Sequence, residues 1–437
     1  MLLPVLSLPL RKNFTAQSAS KFLAIAQQIL LIPLFTNYWG LDYYGDWIVI
    51  FAIPSAISVA GAGIGTSTCN QFVSQWYNKR NRSELILTSG IIAASLFGLC
   101  FFLITILATY LLVSFIGESN FHIHINSIYI AATLLGLASM FNTLCQISEG
   151  PFRVMNNAHV WTYFSCINMV FSILVGSLVI CLGGGIIAFS AVVLASEIIR
   201  LILQALYLKV YYPDTCKLSS EFNFIELKKI FKAGFNFSTS SFGEIVKTQG
   251  SLLLSRAFLG AEKTAIISVV QKLTKVVYQI FMAINLSTTP IYQKYYHQGN
   301  FRKINILYVT TILICIALSA VSILSIHVCK DFLGEIFLQN NSSPGLDNLW
   351  MLLSLSSMPA AIWITSSSFL KATNEHRILA ISSIVGGIVS FLVSIFLVRN
   401  LGLIGLALGL LSYDILVSSV LLKKSSNSIS SLLNRAK

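Results

Sequence analysis

The sequence has few charged residues and lacks any long polar segment. Only 10% of its 437 residues are Asp, Glu, Lys or Arg, whereas 55% are hydrophobic, and the mean hydropathy is +0.78. A soluble domain carries about 25% charged residues. Because apolar residues run from end to end, the composition excludes a soluble enzyme, a secreted disulfide scaffold and a nucleic-acid-binding module. It predicts an all-α, polytopic membrane protein.

The sequence also lacks the patterns typical of metal sites and disulfides. Most of its eight Cys residues lie inside apolar runs, with no CxxC motif and no Cys/His cluster. We therefore expect no metal site and no bound cofactor. The connections between the apolar runs are too short to hold a catalytic domain, so we do not expect an enzyme.

Twelve apolar runs are long enough to cross a bilayer as helices, since a span needs about 20 mostly apolar residues. They are too long and continuous for the strands of a membrane barrel. The predicted spans cover residues 15–37, 44–66, 87–115, 127–149, 159–182, 186–208, 234–257, 264–289, 304–328, 348–370, 377–398 and 401–422.

Basic residues, which give the chain a net charge of +13, are concentrated in alternate connections. With the N-terminus in the cytoplasm, 20 of the 29 Lys and Arg residues fall in cytoplasmic segments. Only Arg256, Lys263, Lys330 and Arg399 fall in outer segments. Because cytoplasmic loops of membrane proteins are enriched in Lys and Arg, this distribution predicts that both termini are cytoplasmic.

Two short patterns repeat along the chain. Residues 40–42 and 260–262 both read Gly-x-acidic at an offset of 220, and residues 153–156 and 371–374 both read basic-x-x-Asn at an offset of 218. An even number of spans between the copies predicts parallel six-helix bundles, related by a pseudo-twofold axis along the membrane normal. The predicted domains are an N-terminal bundle at 1–208, a cytoplasmic linker at 209–233 and a C-terminal bundle at 234–437.

Eight charged residues lie well inside predicted spans, where a charge is costly and usually faces the bundle interior or a water-filled cavity, and Asp46 and Glu149 lie near span ends. The cations are Lys21, Arg200, Lys247, Lys272 and Lys275, and the acids are Glu197, Glu244 and Asp414. Lys247 lies roughly 20 Å into its span at 1.5 Å per residue, which is too deep for its amine to reach the headgroups.

The spacing of these residues predicts shared faces. The seventh span carries a stripe of Ser240, Glu244, Lys247 and Ser251, in which Glu244 and Lys247 are close enough to pair. Glu197 and Arg200 are predicted to form an internal pair. Asp414 is alone on its span, so it is either a proton site or the partner of a cation on another helix.

Two further faces are polar. Gln17, Lys21 and Gln28 share a face of the first span, although Lys21 is shallow enough to extend to the cytoplasmic headgroups instead. Lys272, Lys275 and Gln279 share a face of the eighth span, which carries no acid of its own. Two like charges without an acid on the same helix predict an anion-binding surface.

Together, the twelve helices, the parallel halves, the polar first and seventh spans and the internal cations resemble the polysaccharide repeat-unit flippases. These are the O-antigen (Wzx-type) members of the multidrug/oligosaccharidyl-lipid/polysaccharide exporter superfamily. The local patterns that carry the resemblance are GLDYYGDW at 40–47, GPFR at 150–153 and FLKATN at 369–374.

The resemblance implies a MATE-like fold, in which two bundles form a V around a central cavity. It also implies a protein of the bacterial inner membrane that moves an undecaprenyl-diphosphate-linked oligosaccharide from the cytoplasmic to the periplasmic leaflet during lipopolysaccharide or other polysaccharide biosynthesis. The partners it implies are the lipid-linked substrate, membrane lipids, and the polymerase and chain-length proteins of the same pathway, with no nucleic acid.

On this hypothesis the internal polar residues divide into three roles. The diphosphate is expected at Lys247, Lys272 and Lys275, with Lys21 as a weaker fourth. The sugar path is expected to be lined by Gln17, Gln28, Ser240, Ser251 and Gln279. Glu244 or Asp414 is the candidate for coupling to a proton or sodium gradient.

Two other functions remain open. The first is a multidrug/cation antiporter of the same superfamily, although its cavity should be dominated by acids, whereas five cations and three clear acids lie within the spans here. The second is a membrane enzyme of polysaccharide assembly, which is disfavoured because its large catalytic loop has no counterpart in this sequence.

Overall fold

The computed structural model describes residues 8–78, 80–213, 219, 223–339, 345–373 and 375–435. Throughout these ranges the regular structure is helical, with no β-strand. Ten stretches of the described chain are helices long and apolar enough to cross a membrane. The protein is therefore a multi-pass membrane protein, as the composition predicted.

The ten stretches are compatible with the twelve predicted spans. The first, Thr15–Tyr77, is 63 residues long, and at 1.5 Å per residue this is about three times the thickness of the hydrocarbon core. It contains two of the predicted spans. The seventh predicted span lies in the helix Phe224–Leu259, which the count by hydropathy leaves out because its sequence is unusually polar.

The chain divides into two compact units, Met1–Thr239 (unit 1) and Ser240–Lys437 (unit 2). The helices of unit 1 are α1 (Leu8–Asn78), α2 (Arg80–Ile116), α3 (Ile125–Ile147), α4 (Glu149–Val154), α5 (Ala158–Cys181) and α6 (Ile186–Tyr211). The boundary falls inside α7 (Phe224–Leu259). Unit 2 continues with α8 (Ala261–Thr274), α9 (Val276–His297), α10 (Phe301–Leu338), α11 (Leu346–Leu355), α12 (Ser357–Ala372), α13 (His376–Leu401) and α14 (Leu403–Arg435).

The predicted linker at 209–233 contains the ends of two helices. The described part of this segment includes the last turn of α6, which ends at Tyr211, and the first turns of α7, which begins at Phe224. Residues 214–218 and 220–222 lie outside the described residues. The exact domain boundaries thus remain a prediction.

The repeat that the sequence predicted is visible in the backbone. Gly40 interrupts α1 with φ 76° and ψ 167°, and Gly260 separates α7 from α8 with φ 90° and ψ 179°. This conformation is essentially restricted to glycine, because a side chain there is strained. Each glycine is followed two residues later by an acid, in the first turn of a helix, where its charge is stabilised by the helix dipole. Asn374, from the second repeated pattern, lies outside the described residues.

Small residues let the helices of unit 2 approach closely around the polar interior. A Cβ atom on Gly243 of α7 would lie 1.7 Å from the backbone oxygen of Ser383 on α13. A Cβ atom on Gly387 would lie 2.7 Å from the Cα atom of Gly243. These glycines therefore allow direct backbone contact between α7 and α13, as is typical of packed membrane helices.

The two interrupting glycines give a test of the repeat. Replacing Gly40 or Gly260 with Ala is expected to destabilise the protein by about 1–3 kcal/mol, because the Cβ atom meets no neighbour in either case and only the backbone is strained. The measurement is the unfolding midpoint of the detergent-solubilised protein. Gly334→Ala is the matched control, since Gly334 lies inside α10 with equally open space, and this change should leave stability equal or slightly higher. Equal unfolding midpoints for all three variants would contradict the conclusion that the backbone at Gly40 and Gly260 requires glycine.

Candidate functional site

The interior of unit 2 contains an ion pair between two different helices. The Lys247 Nζ atom on α7 donates a hydrogen bond of 2.6 Å to Oδ2 of Asp414 on α14. The side chains are 3% and 0% exposed. Because desolvated ions are expensive unless they are paired, each residue is the main reason that the other tolerates burial.

One further side chain donates to the Asp414 carboxylate, and a hydroxyl lies at the limit of hydrogen-bond distance. Trp363 of α12 donates its indole N–H to Oδ1 at 3.0 Å, and the Tyr278 hydroxyl of α9 lies 3.5 Å from Oδ2. The same hydroxyl is 3.1 Å from the backbone oxygen of Ser356, at the break between α11 and α12. The carboxylate is thus held by residues from three helices besides its own.

The lysine has a second stabilising neighbour. Its Nζ atom lies 4.6 Å from the centre of the Tyr413 ring, a distance at which a cation is attracted to an aromatic face. Tyr413 packs edge-on against Trp363 and its hydroxyl is 3.2 Å from Oγ of Ser383 on α13. The ion pair therefore lies within an aromatic shell that α9, α12 and α14 build around it.

Lys275 is a second cation beside this pair. It lies at the break between α8 and α9, where it ends one helix and begins the next. The side chain is half-buried, and its charge interacts with those of Lys247, Glu244 and Asp414. Within the described part of the chain Lys275 forms no ion pair. It is therefore the cation of this cluster that is most available to an anionic ligand.

The remaining predicted residues of unit 2 have different surroundings. Ser251 is buried and accepts a hydrogen bond of 3.0 Å from the Gln271 side chain, so its hydroxyl serves the packing of α7 on α8. Lys272, Gln279 and Glu244 are half-buried. The side chain of Ser240 lies outside the described residues.

The pairing of Glu244 with Lys247 that their spacing allows does not form. Lys247 pairs with Asp414 instead, 167 residues away in the sequence. Asp414 offers a buried carboxylate that is already fixed by Trp363 and Tyr278, whereas Glu244 remains half-buried. Of the two alternatives that the sequence left open for Asp414, the structure supports partnership with a cation on another helix.

Unit 1 contains its own buried ion pair, and this one was predicted. Arg200 lies 3.2 Å from Oε2 of Glu197, three residues earlier on α6. The guanidinium also donates to Oδ1 of Asn142 at 2.8 Å, and Asn168 donates to Oε1 of Glu197 at 3.0 Å. The pair is therefore anchored to α3 and α5.

The other predicted site residues of unit 1 lie on the first half of α1. Gln17 donates a weak hydrogen bond of 3.3 Å to the Thr162 hydroxyl on α5. Lys21 and Gln28 are half-buried. The binding roles assigned to these residues and to those of unit 2 remain predictions.

Sequence reasoning missed the aromatic residues of the cluster. Trp363, Tyr278 and Tyr413 lie on three helices, and no spacing rule connects residues across helices. One local signal was present, because Tyr413 directly precedes the isolated Asp414. An intramembrane acid next to a tyrosine, with no cation within two turns on the same helix, indicates that its partners come from elsewhere.

Comparison with known proteins identifies the fold. A sequence model of the MatE family matches residues 246–396, which lie in unit 2. No curated protein matches the sequence. An inward-facing multidrug resistance MATE family transporter of the MOP superfamily superimposes with a TM-score of 0.83 at 14% identity, over 97% of this chain and 100% of that one.

Two other solved structures support the same assignment. An outward-facing multidrug resistance MATE family transporter has a TM-score of 0.72 at 15% identity, over 98% of this chain and 97% of that one. A MOP superfamily transporter from Pyrococcus furiosus, described as having a binding pocket of reverse polarity that suggests a different function, has a TM-score of 0.71 at 14% identity, over 97% and 96%. The all-helical fold is that of the MATE transporters, which confirms the predicted fold class.

The ion pair of unit 2 gives a second prediction. Lys247→Met is expected to destabilise the protein by about 3–5 kcal/mol, because it leaves the Asp414 carboxylate buried without its cation. The double variant Lys247→Met, Asp414→Asn should recover most of this loss. The measurement is the unfolding midpoint of each variant in the same detergent.

The control is Lys330→Met. Lys330 also forms a 2.6 Å ion pair, with Asp347, but the Asp347 side chain is 76% exposed. An exposed pair contributes little, so this variant should unfold close to the wild type. If the double variant is as unstable as Lys247→Met alone, the two charges do not compensate each other and the assignment fails.

Proposed function

We propose that the protein is a secondary transporter that moves an amphiphile with an anionic headgroup across the membrane by alternating access. The fold supports transport, since structures of the same fold are described as inward-facing and outward-facing transporters. The choice of an anionic cargo rests on the position and charge of Lys275. It is a half-buried cation at a helix break, beside a second buried lysine, with its own charge unpaired within the described chain.

The physical chemistry of such a cargo fits this arrangement. A phosphate headgroup cannot cross hydrocarbon without partners, and lysine binds phosphate as a point charge with three donors. Lys275 offers that charge, and Lys272 lies one turn away along the same chain segment. The reverse polarity described for the Pyrococcus furiosus transporter is a precedent for a changed pocket charge on this fold.

More specifically, we propose that the cargo is an undecaprenyl-diphosphate-linked oligosaccharide, moved outward across a bacterial inner membrane. In this proposal both chain termini are cytoplasmic, and the pathway's polymerase and chain-length proteins act on the product. Gln17, Gln28 and Gln279 offer amide groups for sugar hydroxyls. A proton or sodium gradient drives the cycle through Glu244 or Asp414.

A multidrug/cation antiporter is the second candidate. Two of the solved structures named above support it, because they are described as multidrug resistance transporters. In that case Glu244, which is half-buried and forms no ion pair within the described chain, would attract the cationic drug. The two candidates require opposite charges at the site, so charge-altering variants separate them.

The third prediction tests the role of Lys275 in purified protein reconstituted into liposomes. Lys275→Ala is expected to reduce the movement of a fluorescent undecaprenyl-diphosphate-linked sugar by about tenfold or more, the scale of one lost charge contact. Lys275→Arg should retain part of the activity because it keeps the charge. Movement is measured as the loss of fluorescence to a membrane-impermeant quencher.

The control is Lys209→Ala, which removes an exposed lysine at the end of α6 and should transport like the wild type. Ethidium efflux is measured in the same liposomes. Movement of ethidium but not of the lipid-linked sugar, with Lys275→Ala as active as the wild type and Glu244→Gln inactive, would favour the antiporter and overturn the main proposal.

A further inference from the structure

We infer that Asp414 and the anionic cargo compete for Lys247, so that cargo binding requires this lysine to exchange one counter-ion for another. The inference rests on the proposed function, because it takes the headgroup to bind at the unit 2 cluster. Asp414 then sets the affinity for the cargo without touching it. Lys247 binds the cargo only after its ion pair with Asp414 has broken.

The Lys247–Asp414 pair and the Glu197–Arg200 pair differ in whether they can separate. Glu197 and Asp414 are each the twelfth residue of their helices, α6 and α14, so the two units carry an acid at the same register. In unit 1 the cation is Arg200 on the same helix, three residues away, and the pair persists while that helix is intact. In unit 2 Lys247 comes from α7, so a shift of α7 along α14 breaks the contact.

The difference arises at one position of the repeat. Lys247 lies thirteen residues before Gly260, and the corresponding residue before Gly40 is Gln27. Gln27 donates to the Ser172 hydroxyl at 3.2 Å and carries no charge. Unit 1 therefore lacks a lysine at this position and supplies its cation from α6. Unit 2 alone places a flexible cation at this point of the repeat.

The Asp414 carboxylate keeps partners when the lysine leaves. Trp363 donates to Oδ1 and Tyr278 is within reach of Oδ2, and neither donor depends on Lys247. The retained indole N–H lowers the free-energy cost of leaving the carboxylate buried, and the Tyr278 hydroxyl can turn from the Ser356 oxygen towards Oδ2 once the lysine leaves. Lys247 can thus leave while the Asp414 carboxylate keeps a hydrogen-bond donor.

The neighbouring charges favour exchange when the ligand is a diphosphate. The titratable groups around the pair are Lys275, Glu244, Tyr278 and Tyr413. Asp414 neutralises Lys247 while the two are paired. Glu244 also interacts with Lys371, so an approaching anion is attracted mainly by Lys275 until Lys247 is released. A ligand with two negative charges attracts Lys247 about twice as strongly as one carboxylate at equal distance. It therefore competes effectively with Asp414.

The test is a double-mutant cycle on the full-length protein in detergent, with undecaprenyl diphosphate as the probe and its Kd as the readout. Asp414→Asn is expected to tighten binding by about tenfold, which corresponds to a coupling at the lower end of close charge pairs. In a Lys247→Met background the same change should have no effect, because no lysine remains to be released. A purely structural role for Asp414 predicts weaker binding in both backgrounds.

Two controls separate competition from a general change of potential. Glu244→Gln removes a nearby negative charge, so any tightening it causes should be the same with Lys247 or Met at position 247. Glu197→Gln alters the acid of unit 1 and should leave the Kd unchanged. If Asp414→Asn tightens binding equally in both backgrounds, the tightening comes from the general loss of a negative charge near the site. The proposed exchange of counter-ions is then refuted.

A third variant keeps both charges of the pair. Trp363→Phe removes the donor that supports Asp414 after release, so binding should weaken by several-fold, and unchanged binding in this variant contradicts the inference even if Asp414→Asn does not fold. Failure of the wild type to bind the probe overturns the proposed function itself. A wild type that binds, with an Asp414→Asn variant of equal Kd, overturns the exchange alone.

Discussion

A charge buried inside an apolar helix bundle needs a counter-ion within contact distance. The polar cluster of unit 2 follows from that constraint. Burying Lys247 requires a carboxylate within contact distance, and Asp414 meets this requirement at 2.6 Å. The carboxylate in turn requires donors for its remaining lone pairs, which Trp363 and Tyr278 supply. One lysine on α7 thereby determines side chains on three other helices.

The two units satisfy the same constraint in different ways. The acid is the twelfth residue of α6 in unit 1 and of α14 in unit 2, but the compensating cation lies on the same helix in unit 1 and on another helix in unit 2. A same-helix pair restrains a rotamer, whereas a pair between helices restrains the position of one helix against another. The repeat thus preserves the position of the acid. The acid pairs within one helix in unit 1 and links two helices in unit 2.

The sequence predicted those features that depend on residues close together in the chain. The helices follow from hydropathy, the repeat at Gly40 and Gly260 from the recurring Gly-x-acidic pattern, and the Glu197–Arg200 pair from a spacing of three. The pairing of Lys247 could not be predicted in this way, because Glu244 satisfies the same spacing rule and yet is not its partner. The competition between a local and a distant acid depends on which carboxylate the fold desolvates and supplies with donors, and this is decided by α12 and α9.

Fold and cargo are therefore separate questions for this architecture. The backbone superimposes on proteins described as multidrug resistance transporters, yet identities of 14–15% leave the interior charges free to change. A single intramembrane lysine without its own acid alters the local potential far more than many changes on the lipid-facing surface do, because the low dielectric screens it weakly. Lys275 is such a residue, since the described chain gives it neighbouring charges but no ion pair. The polarity of unit 2 is for this reason a better guide to the cargo than the overall similarity of the fold.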